Sequence, residues 1–509
     1  MATIPSPPSG KYSFLKQSGY VWLLPLLYLL HSYNDLFGFI PFIYILVFFI
    51  SAFVLGNLLL GICWLITKSP AKSLFITFCC LLFVLFWGAW HQFLKTHAGY
   101  TLSRYAVALP VTMALLVSFV RYVIKRPGKL TQLSRYFHYL MVILCLWELL
   151  QLFFHYHQYR KDANQVYPVR PINNAYQSCH KPDSSKPDIY FIIYDEYTHN
   201  RMLKQLWGFD NRAITNWLQT KGFFIPDSSK ANFSFTPYSL STTFNMNYIA
   251  VSAVNINDLP FNSLKAVKSL SENETFDLLQ KEHYRISTFT PFRSTYRQVE
   301  VMHELEDFAK RKLFYQNFLA RFFFDVGWHF LPADPSVHTN NNPSPILRER
   351  AQDLETIARG IKATANDSAG RPPQFVYGHL MTTHKPHIFN EDGQVRSVAD
   401  LAKDKAYFHT YINQVKAANK SIRDIVDHIL SHNWKNTIII IMGDHGFRFL
   451  PDDDTRSYFP IFSAFYFPDR AYPSSLSNIS AINTFRIVFN QYFCQNLSLL
   501  KDSSIIVKF

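Results

Sequence analysis

Acidic side chains are almost missing from the first third of this chain: residues 1–155 contain only Asp35 and Glu148. The same stretch carries 11 Lys and Arg, so +9 of the formal net charge of +14 lies there and +5 in the remaining residues. A nucleic-acid binder concentrates its excess cations in its folded soluble part, so this distribution excludes nucleic acid as the expected partner. Cysteines are also few, six in all, with no CxxC or Cys/His cluster of the zinc-finger kind. Four of them (Cys63, Cys79, Cys80, Cys145) fall in apolar runs, where a free thiol behaves as a small hydrophobe. Cys179 and Cys494 remain. They could close one disulfide in an oxidising compartment, but spacing does not decide whether they meet. No internal repeat is present.

What the first third does contain is long apolar runs. Five are legible, at about 18–33, 39–67, 72–93, 103–124 and 136–155. Each approaches or exceeds the ~20 residues needed to cross about 30 Å of hydrocarbon as a helix. The first is the weakest, being interrupted by Pro25 and ended by the polar residues 31–35. A cleaved signal peptide fits it poorly, because no small-residue cleavage site follows and more apolar segments do. Basic residues cluster in alternate loops: Lys11 and Lys16, then Lys68 and Lys72, then Arg121 to Arg135. By the positive-inside rule the N-terminus is expected in the cytoplasm and, after an odd number of spans, the C-terminal part outside. Glu148, the one acid inside a span, is read as a polar contact to a lipid head group or another helix, or as a snorkelling side chain.

Residues 156–186 are polar and proline-punctuated, and read as a linker. Beyond them, Asp188 to Asp195 and Asn436 to Asp444 are short β-branched runs that each end in an acid, and Gln374 to His379 is a third. Such runs suit strands buried on both faces of a mainly parallel sheet. Helical periodicity appears at about 265–281 and 401–431. Strands alternating with helices predict an α/β sandwich. The stretches around 330–350 and 365–373 read as surface loops.

Functional groups in open α/β sheets gather at the carboxyl ends of the strands. Here that rule selects Asp195, then Asp444 and His445 in Gly443-Asp-His-Gly446, then His384 and His387 in Thr383-His-Lys-Pro-His387. Two carboxylates and an imidazole from separate strands suit a borderline cation such as Zn²⁺ or Mn²⁺. Taken singly, a strand-end Asp is more often a cap or turn former; the joint pattern is what carries weight. A hydroxyl-rich stretch, Asn232 to Asn245, is either a capped helix start or the source of a nucleophile for an anionic ester.

In this order the pieces resemble the alkaline phosphatase/sulfatase superfamily, and more closely its bacterial membrane-anchored branch of lipoteichoic acid synthases and phosphoethanolamine transferases. The resemblance implies a helical bundle at 1–155 (about five spans), a linker at 156–186, and an extracytoplasmic domain of alkaline phosphatase-like fold at 187–509. It implies metal ligation by Asp195, Thr236, Asp444 and His445, with Glu196 as a substitute or second-metal carboxylate. Thr236, in Thr236-Pro-Tyr-Ser239, resembles the nucleophile, although Ser234, Ser239, Ser241 and Thr242 stand close by. His384 resembles the His of the phosphate-binding His-x-Pro turn and is the second catalytic candidate; His387 and His379 are further substrate-binding candidates. The chain departs from sulfatases of the formylglycine type, which place Cys or Ser at the nucleophile with an Arg after it. No Cys occurs there, and Leu240 stands where the Arg would fall.

The expected activity is transfer of a phospholipid head group, of phosphoethanolamine or phosphoglycerol type, onto an envelope lipid or glycan through a phospho-threonine. The expected place is the bacterial inner membrane, with the catalytic domain periplasmic or extracellular. The competing expectations are a hydrolase of phosphate or sulfate esters on envelope glycans, and a membrane-tethered module without catalysis.

Overall fold

The computed structural model of the chain describes residues 10–37, 40–125, 130–163, 172, 176–179, 181–249, 266–301, 310, 313–326, 343–366, 371–397, 400, 407–433, 436–451 and 454–507. The chain divides into two compact units, Met1–Asp162 with Leu305–Pro332, and Ala163–Glu304 with Ala333–Phe509.

In the first unit the apolar runs become α1 (Gly10–Asp35), α2 (Phe42–Thr67), α3 (Pro70–His97), the short α4 (Gly99–Ser103), α5 (Tyr105–Lys125) and α6 (Thr131–Ala163). Four segments among the described residues are long and apolar enough to cross a membrane: Phe42–Thr67, Pro70–His97, Tyr105–Lys125 and Gln132–His157. Helix α1 is not among these four, but it packs in the same cluster, burying Tyr20, Leu24 and Tyr28 against Phe48, Phe78 and Leu85. Pro25 lies inside α1 rather than ending it; such a break is tolerated where neighbouring helices support the backbone. Large apolar side chains such as Ile50 on α2, Leu115 on α5 and Phe153 on α6 are exposed, as expected of a surface whose solvent is lipid. Glu148 makes the contact to another helix: its carboxylate meets His31 Nδ1 at 3.0 Å and accepts from Asn34 Nδ2 at 2.7 Å.

One part of this unit is remote in sequence. Residues 305–332 were expected inside the outer domain of 187–509, yet they cluster with the helical unit. The Tyr28 hydroxyl donates to the Leu313 carbonyl at 2.6 Å, and the Gly88 amide to the Gln316 carbonyl at 2.7 Å. Helix α7 (Phe318–Asp325) follows, and its Phe318 packs on Phe83 and Trp87.

The second unit is built on a five-stranded sheet. In chain order its strands are β1 (Asp188–Tyr194), β3 (Arg285–Phe289), β4 (Gln374–Leu380), β5 (Thr437–Met442) and β6 (Ser463–Tyr466); β2 (Ser228–Lys230) pairs separately with β7 (Asn478–Ser480). The order across the sheet is β3-β4-β1-β5-β6, with only β6 antiparallel. All residues of β1, β4 and β5 are buried, so helices cover both faces and the strand sequences need no polar alternation. On one face Tyr190, Ile192 and Tyr194 join a core with Leu354, Ile357 and Ile361 of α8 (Pro345–Ala365) and Val415, Ala418 and Ile422 of α9 (Tyr407–Asn433). On the other, Phe191 touches Phe244 of α10 (Thr236–Asn245) and Phe485 of α11 (Thr484–Tyr492) edge-on.

Two expectations change. The stretch read as a loop to residue 350 is already helical from Pro345, because Leu347, Ala351 and Leu354 form an apolar stripe that the core completes. The helix expected over 265–281 is broken before Glu274–Lys281, where the Asn273 side chain accepts from the Phe276 amide and caps a new start. Residues 401–406 of the expected helix over 401–431 lie outside the described residues. Cys179 and Cys494 form a disulfide, with Cα atoms 5.5 Å apart.

Candidate active site

Register assembles the site. Ile193 pairs with His379 on one side and with Met442 on the other, so the residues two places beyond Ile193 and Met442, Asp195 and Asp444, emerge side by side at the carboxyl edge. The ligand atoms of Asp195, Asp444 and His445 lie within 4.8 Å of one another, and all three residues are buried. His445 Nε2 is 3.8 Å from Asp195 Oδ1 and 3.4 Å from Asp444 Oδ2. Both glycines of Gly443-Asp-His-Gly446 are required by crowding, not by a left-handed backbone, since neither has a positive φ. A Cβ at Gly443 would run into the Tyr197 carbonyl, and one at Gly446 into the Ser457 carbonyl.

Thr236 is the first residue of α10 and is buried. Its Oγ1 donates to Asp195 Oδ2 at 3.2 Å and lies 3.2 Å from His445 Nε2. The neighbouring hydroxyls are engaged elsewhere: Ser239 donates to the Asp444 carbonyl at 2.5 Å, Ser241 bonds Ser269, and Ser234 accepts from the Val507 amide at 2.9 Å. Thr242 Oγ1 is buried with no hydrogen-bond partner. Of these hydroxyls only that of Thr236 is hydrogen-bonded to the carboxylate–imidazole cluster, and it sits where the helix dipole favours negative charge.

His379 belongs to this cluster too. Its Nε2 is 3.0 Å from Asp195 Oδ2 and its Nδ1 is 2.8 Å from the Tyr377 hydroxyl. With Nε2–H donating to the carboxylate, Nδ1 accepts from the tyrosine, and the pair fixes Asp195 from behind. Burial pushes His379 down to about 4 and holds His445 well below its ordinary range, so both rings are neutral near pH 7, the form that metal ligation requires.

The remaining sequence candidates sit differently. Glu196 has its amide on Asp444 Oδ1 at 2.9 Å, but its own carboxylate turns to Arg448, accepting from the backbone N at 3.0 Å and from Nε at 3.3 Å. Burial pushes this carboxyl up to about 8 against the pull of Arg448. His384 donates its Nδ1–H to the Lys385 carbonyl at 2.6 Å, and its Nε2 lies 3.4 Å from an Arg448 terminal nitrogen. His387 is fully buried, with Nδ1 2.6 Å from Thr410 Oγ1 and its ring against Tyr407 and Tyr411. No hydrogen bond or ion pair links it to Asp195, Asp444 or His445 among the described residues. Sequence reasoning overlooked Arg448 and Tyr377. Arg448 had a signal, a cation three residues past His445 in the same turn; Tyr377 had none beyond alternation with His379 along β4.

Residues 231–475 match the family model described as Sulfatase. That stretch, just under half of the chain, is similar to the sulfatase family. The match takes in Thr236, His379, His384, Asp444 and His445 but starts after β1, so Asp195 joins the site through the sheet. No curated protein matches the chain. Among solved structures, the C-terminal periplasmic domain of EcEptC from Escherichia coli in complex with Zn is similar over 62% of this chain and 84% of its own, at 13% identity and a TM-score of 0.39. The C-terminal periplasmic domain of phosphoethanolamine transferase EptC from Campylobacter jejuni is similar over 60% and 89%, at 12% identity and a TM-score of 0.37. The soluble domain of lipooligosaccharide phosphoethanolamine transferase A from Neisseria meningitidis covers 60% and 87%, at 11% and 0.33.

The matched family is one of enzymes, and the site described above lies largely within the matched residues. Its residues fit a divalent cation: two buried carboxylates and a neutral imidazole converge, and Asp444 Oδ2 is buried without a hydrogen bond. Such an oxygen is costly to bury unless something completes it.

Proposed function

We propose that the chain transfers a phosphoester head group from a membrane phospholipid, of phosphoethanolamine or phosphoglycerol type, to an envelope lipid or glycan through a phospho-threonine at Thr236. The observation that carries this reading is the placement of Thr236 Oγ1, at 3.2 Å from both Asp195 Oδ2 and His445 Nε2. Asp195, Asp444, His445 and Thr236 would hold the cation, zinc or manganese by the mixed N/O donor set. When bound, it supplies the positive charge that lowers the hydroxyl pKa and stabilises the transferring phosphoryl group.

The residues divide the remaining work. Thr236 Oγ1 gives up its proton to solvent and forms a bond to phosphorus, while the bond from phosphorus to the lipid oxygen breaks and the lipid leaves as its alcohol, taking a proton from solvent. The amino end of α10 faces the charge that develops. His379, braced by Tyr377, keeps Asp195 in place, which is the support a ligating carboxylate needs. His384 is held neutral by burial and by Arg448. With Nδ1–H on the Lys385 carbonyl, its Nε2 lone pair is available to take the proton of an acceptor hydroxyl in the second half-reaction. His387, bonded to Thr410, supports the turn that carries His384.

The tether explains the choice of donor: a site attached to membrane-crossing helices meets head groups at high effective concentration. The loop charges support a cytoplasmic N-terminus in the bacterial inner membrane, with the catalytic unit on its periplasmic or extracellular side. The Cys179–Cys494 disulfide suits an oxidising compartment of that kind.

The test uses the full-length chain in vesicles containing head-group-labelled phospholipid. The wild type should yield a labelled acceptor and, by mass spectrometry, a phosphoester adduct on the peptide containing Thr236. Thr236→Ala should lower turnover by about 10⁴-fold or more, as loss of a nucleophile does. Full transfer by that variant would sink the assignment, and release of free head group to water alone would select the hydrolase reading.

A further inference from the structure

Leu240 stands where formylglycine sulfatases carry the arginine of their nucleophile segment, so a cation for the substrate anion must come from another element. Arg448 is the residue placed to supply it. Its Nε and its backbone N are both committed to Glu196 Oε1, at 3.3 and 3.0 Å. Its two terminal nitrogens have only long contacts of 3.4 Å, one to the Ser234 carbonyl and one to His384 Nε2. Those two contacts bracket the space between the segment that leads into Thr236 and the turn that carries His384.

Glu196 is built to hold that side chain. It is fully buried, its backbone is left-handed at φ 65°, and its amide is anchored on Asp444 Oδ1. Its second oxygen, Oε2, makes no hydrogen bond. Glu196 Oε1 therefore engages the Nε side of the guanidinium and leaves the terminal nitrogens to their long contacts with the Ser234 carbonyl and His384. The rings of Phe235 and Phe449 stand 5.9 Å from the guanidinium carbon and limit its swing. Lys385, the neighbouring cation, is turned onto Phe449 with Nζ 3.8 Å from the ring centroid, so it is occupied by an aromatic face.

We infer that the Arg448 fork is a substrate-anion subsite: its two terminal N–H groups bind non-bridging oxygens of the phosphoryl group that is transferred at Thr236, and Glu196 is the residue that positions it. A guanidinium held at Nε, with only long contacts at its two terminal nitrogens, presents parallel donors that match two phosphate oxygens, which a lysine cannot reproduce. This inference rests on the phosphoester reading above. It also assigns Glu196 a place beside the metal ligands rather than among them.

The test uses the full-length protein in detergent, loaded with zinc, with a p-nitrophenyl phosphodiester as substrate and inorganic phosphate as competing probe. Arg448→Ala should keep the bound zinc and weaken inhibition by phosphate about 30-fold, the scale of charged hydrogen bonds lost. Arg448→Lys should restore only a small part of that loss. Glu196→Gln should also keep its zinc, while raising KM for the diester more than it lowers kcat. Equal inhibition of wild type and Arg448→Ala by phosphate would overturn the inference, as would full recovery in Arg448→Lys or loss of zinc in Glu196→Gln. Absence of both diester turnover and phosphate binding in the wild type would overturn the phosphoester reading itself, and the subsite with it.

Discussion

Replacing Asp444 by Asn should stabilise the metal-free chain and abolish its stabilisation by metal. Asp444 and Asp195 place carboxylate oxygens within 4.8 Å of each other in a buried cluster. With both ionised, their repulsion at that distance and an effective dielectric of about 20 is about 3 kcal/mol. Asparagine keeps the shape and the oxygen that accepts from the Glu196 amide at 2.9 Å. It removes the charge, and it replaces the buried Oδ2 that has no hydrogen bond. Without metal, Asp444→Asn should therefore be more stable than the wild type by up to about 3 kcal/mol. With zinc the order reverses. A cation at about 1,000 times its Kd adds about 4 kcal/mol to the wild type, and the variant, short of one anionic ligand, should gain almost none. The assay is thermal unfolding of the full chain in detergent, with EDTA and then with zinc. At roughly 2–4 °C per kcal/mol for a unit of this size, zinc should raise the wild-type midpoint by about 10 °C and leave that of the variant unchanged. A variant that is destabilised in EDTA and still rises with zinc would refute the reasoning, because the carboxylate would then be a structural acceptor rather than a ligand.

Two further outcomes follow from groups away from the site. Burial pushes the Glu282 carboxyl up, but hydrogen bonds from Ser178, Lys186, Tyr176 and the Cys179 amide outweigh it and leave it below the ordinary range. A depressed carboxylate contributes stability that is present above its unfolded pKa of about 4.3 and lost as pH falls through the folded value. Glu282→Gln should thus cost about 2 kcal/mol at pH 7, where it leaves the buried Lys186 with Asp183 and the residue-282 carbonyl as its remaining partners, and much less at pH 3; urea unfolding at the two pH values reads the difference, and a gap that does not narrow in acid would count against it. Glu148→Ala removes the side-chain contacts of α6 with His31 and Asn34 on α1 and leaves the bond from Asn34 Nδ2 to the residue-148 carbonyl. At about 1 kcal/mol per interhelical bond, opening of the α1–α6 seam should speed maleimide labelling of the buried Cys145, one turn away, by about fivefold or more; an unchanged labelling rate would show that apolar packing alone holds the seam.

Much of this protein is local information. A membrane-crossing helix needs only length and apolarity, so the spans could be read from runs such as 39–67, with errors of a few residues where helices fray. Strands β1, β4 and β5 were legible for a similar reason: they are buried on both faces, so their sequences are unbroken apolar runs, and the acids that end β1 and β5 stand out against them. The Gly443–Gly446 motif announced itself by composition, although the reason for its glycines is contact with the Tyr197 and Ser457 carbonyls, which are not sequence neighbours of both.

Tertiary structure decided everything that depends on which distant group completes a local one. Four hydroxyls surround Thr236 in sequence, and only the packing of α10 against the sheet edge brings its Oγ1 to Asp195 and His445 while pairing Ser234, Ser239 and Ser241 elsewhere. Glu196 and His387 carry ligand chemistry, but the first is consumed by Arg448 and the second by Thr410. Residues 313–326 show too short an apolar pattern to declare themselves part of the helical unit; Gly88 and Tyr28 supply the hydrogen bonds that place them there. A residue's type sets which interactions it can make. Which of them it does make is a competition among partners that the chain brings together only when folded.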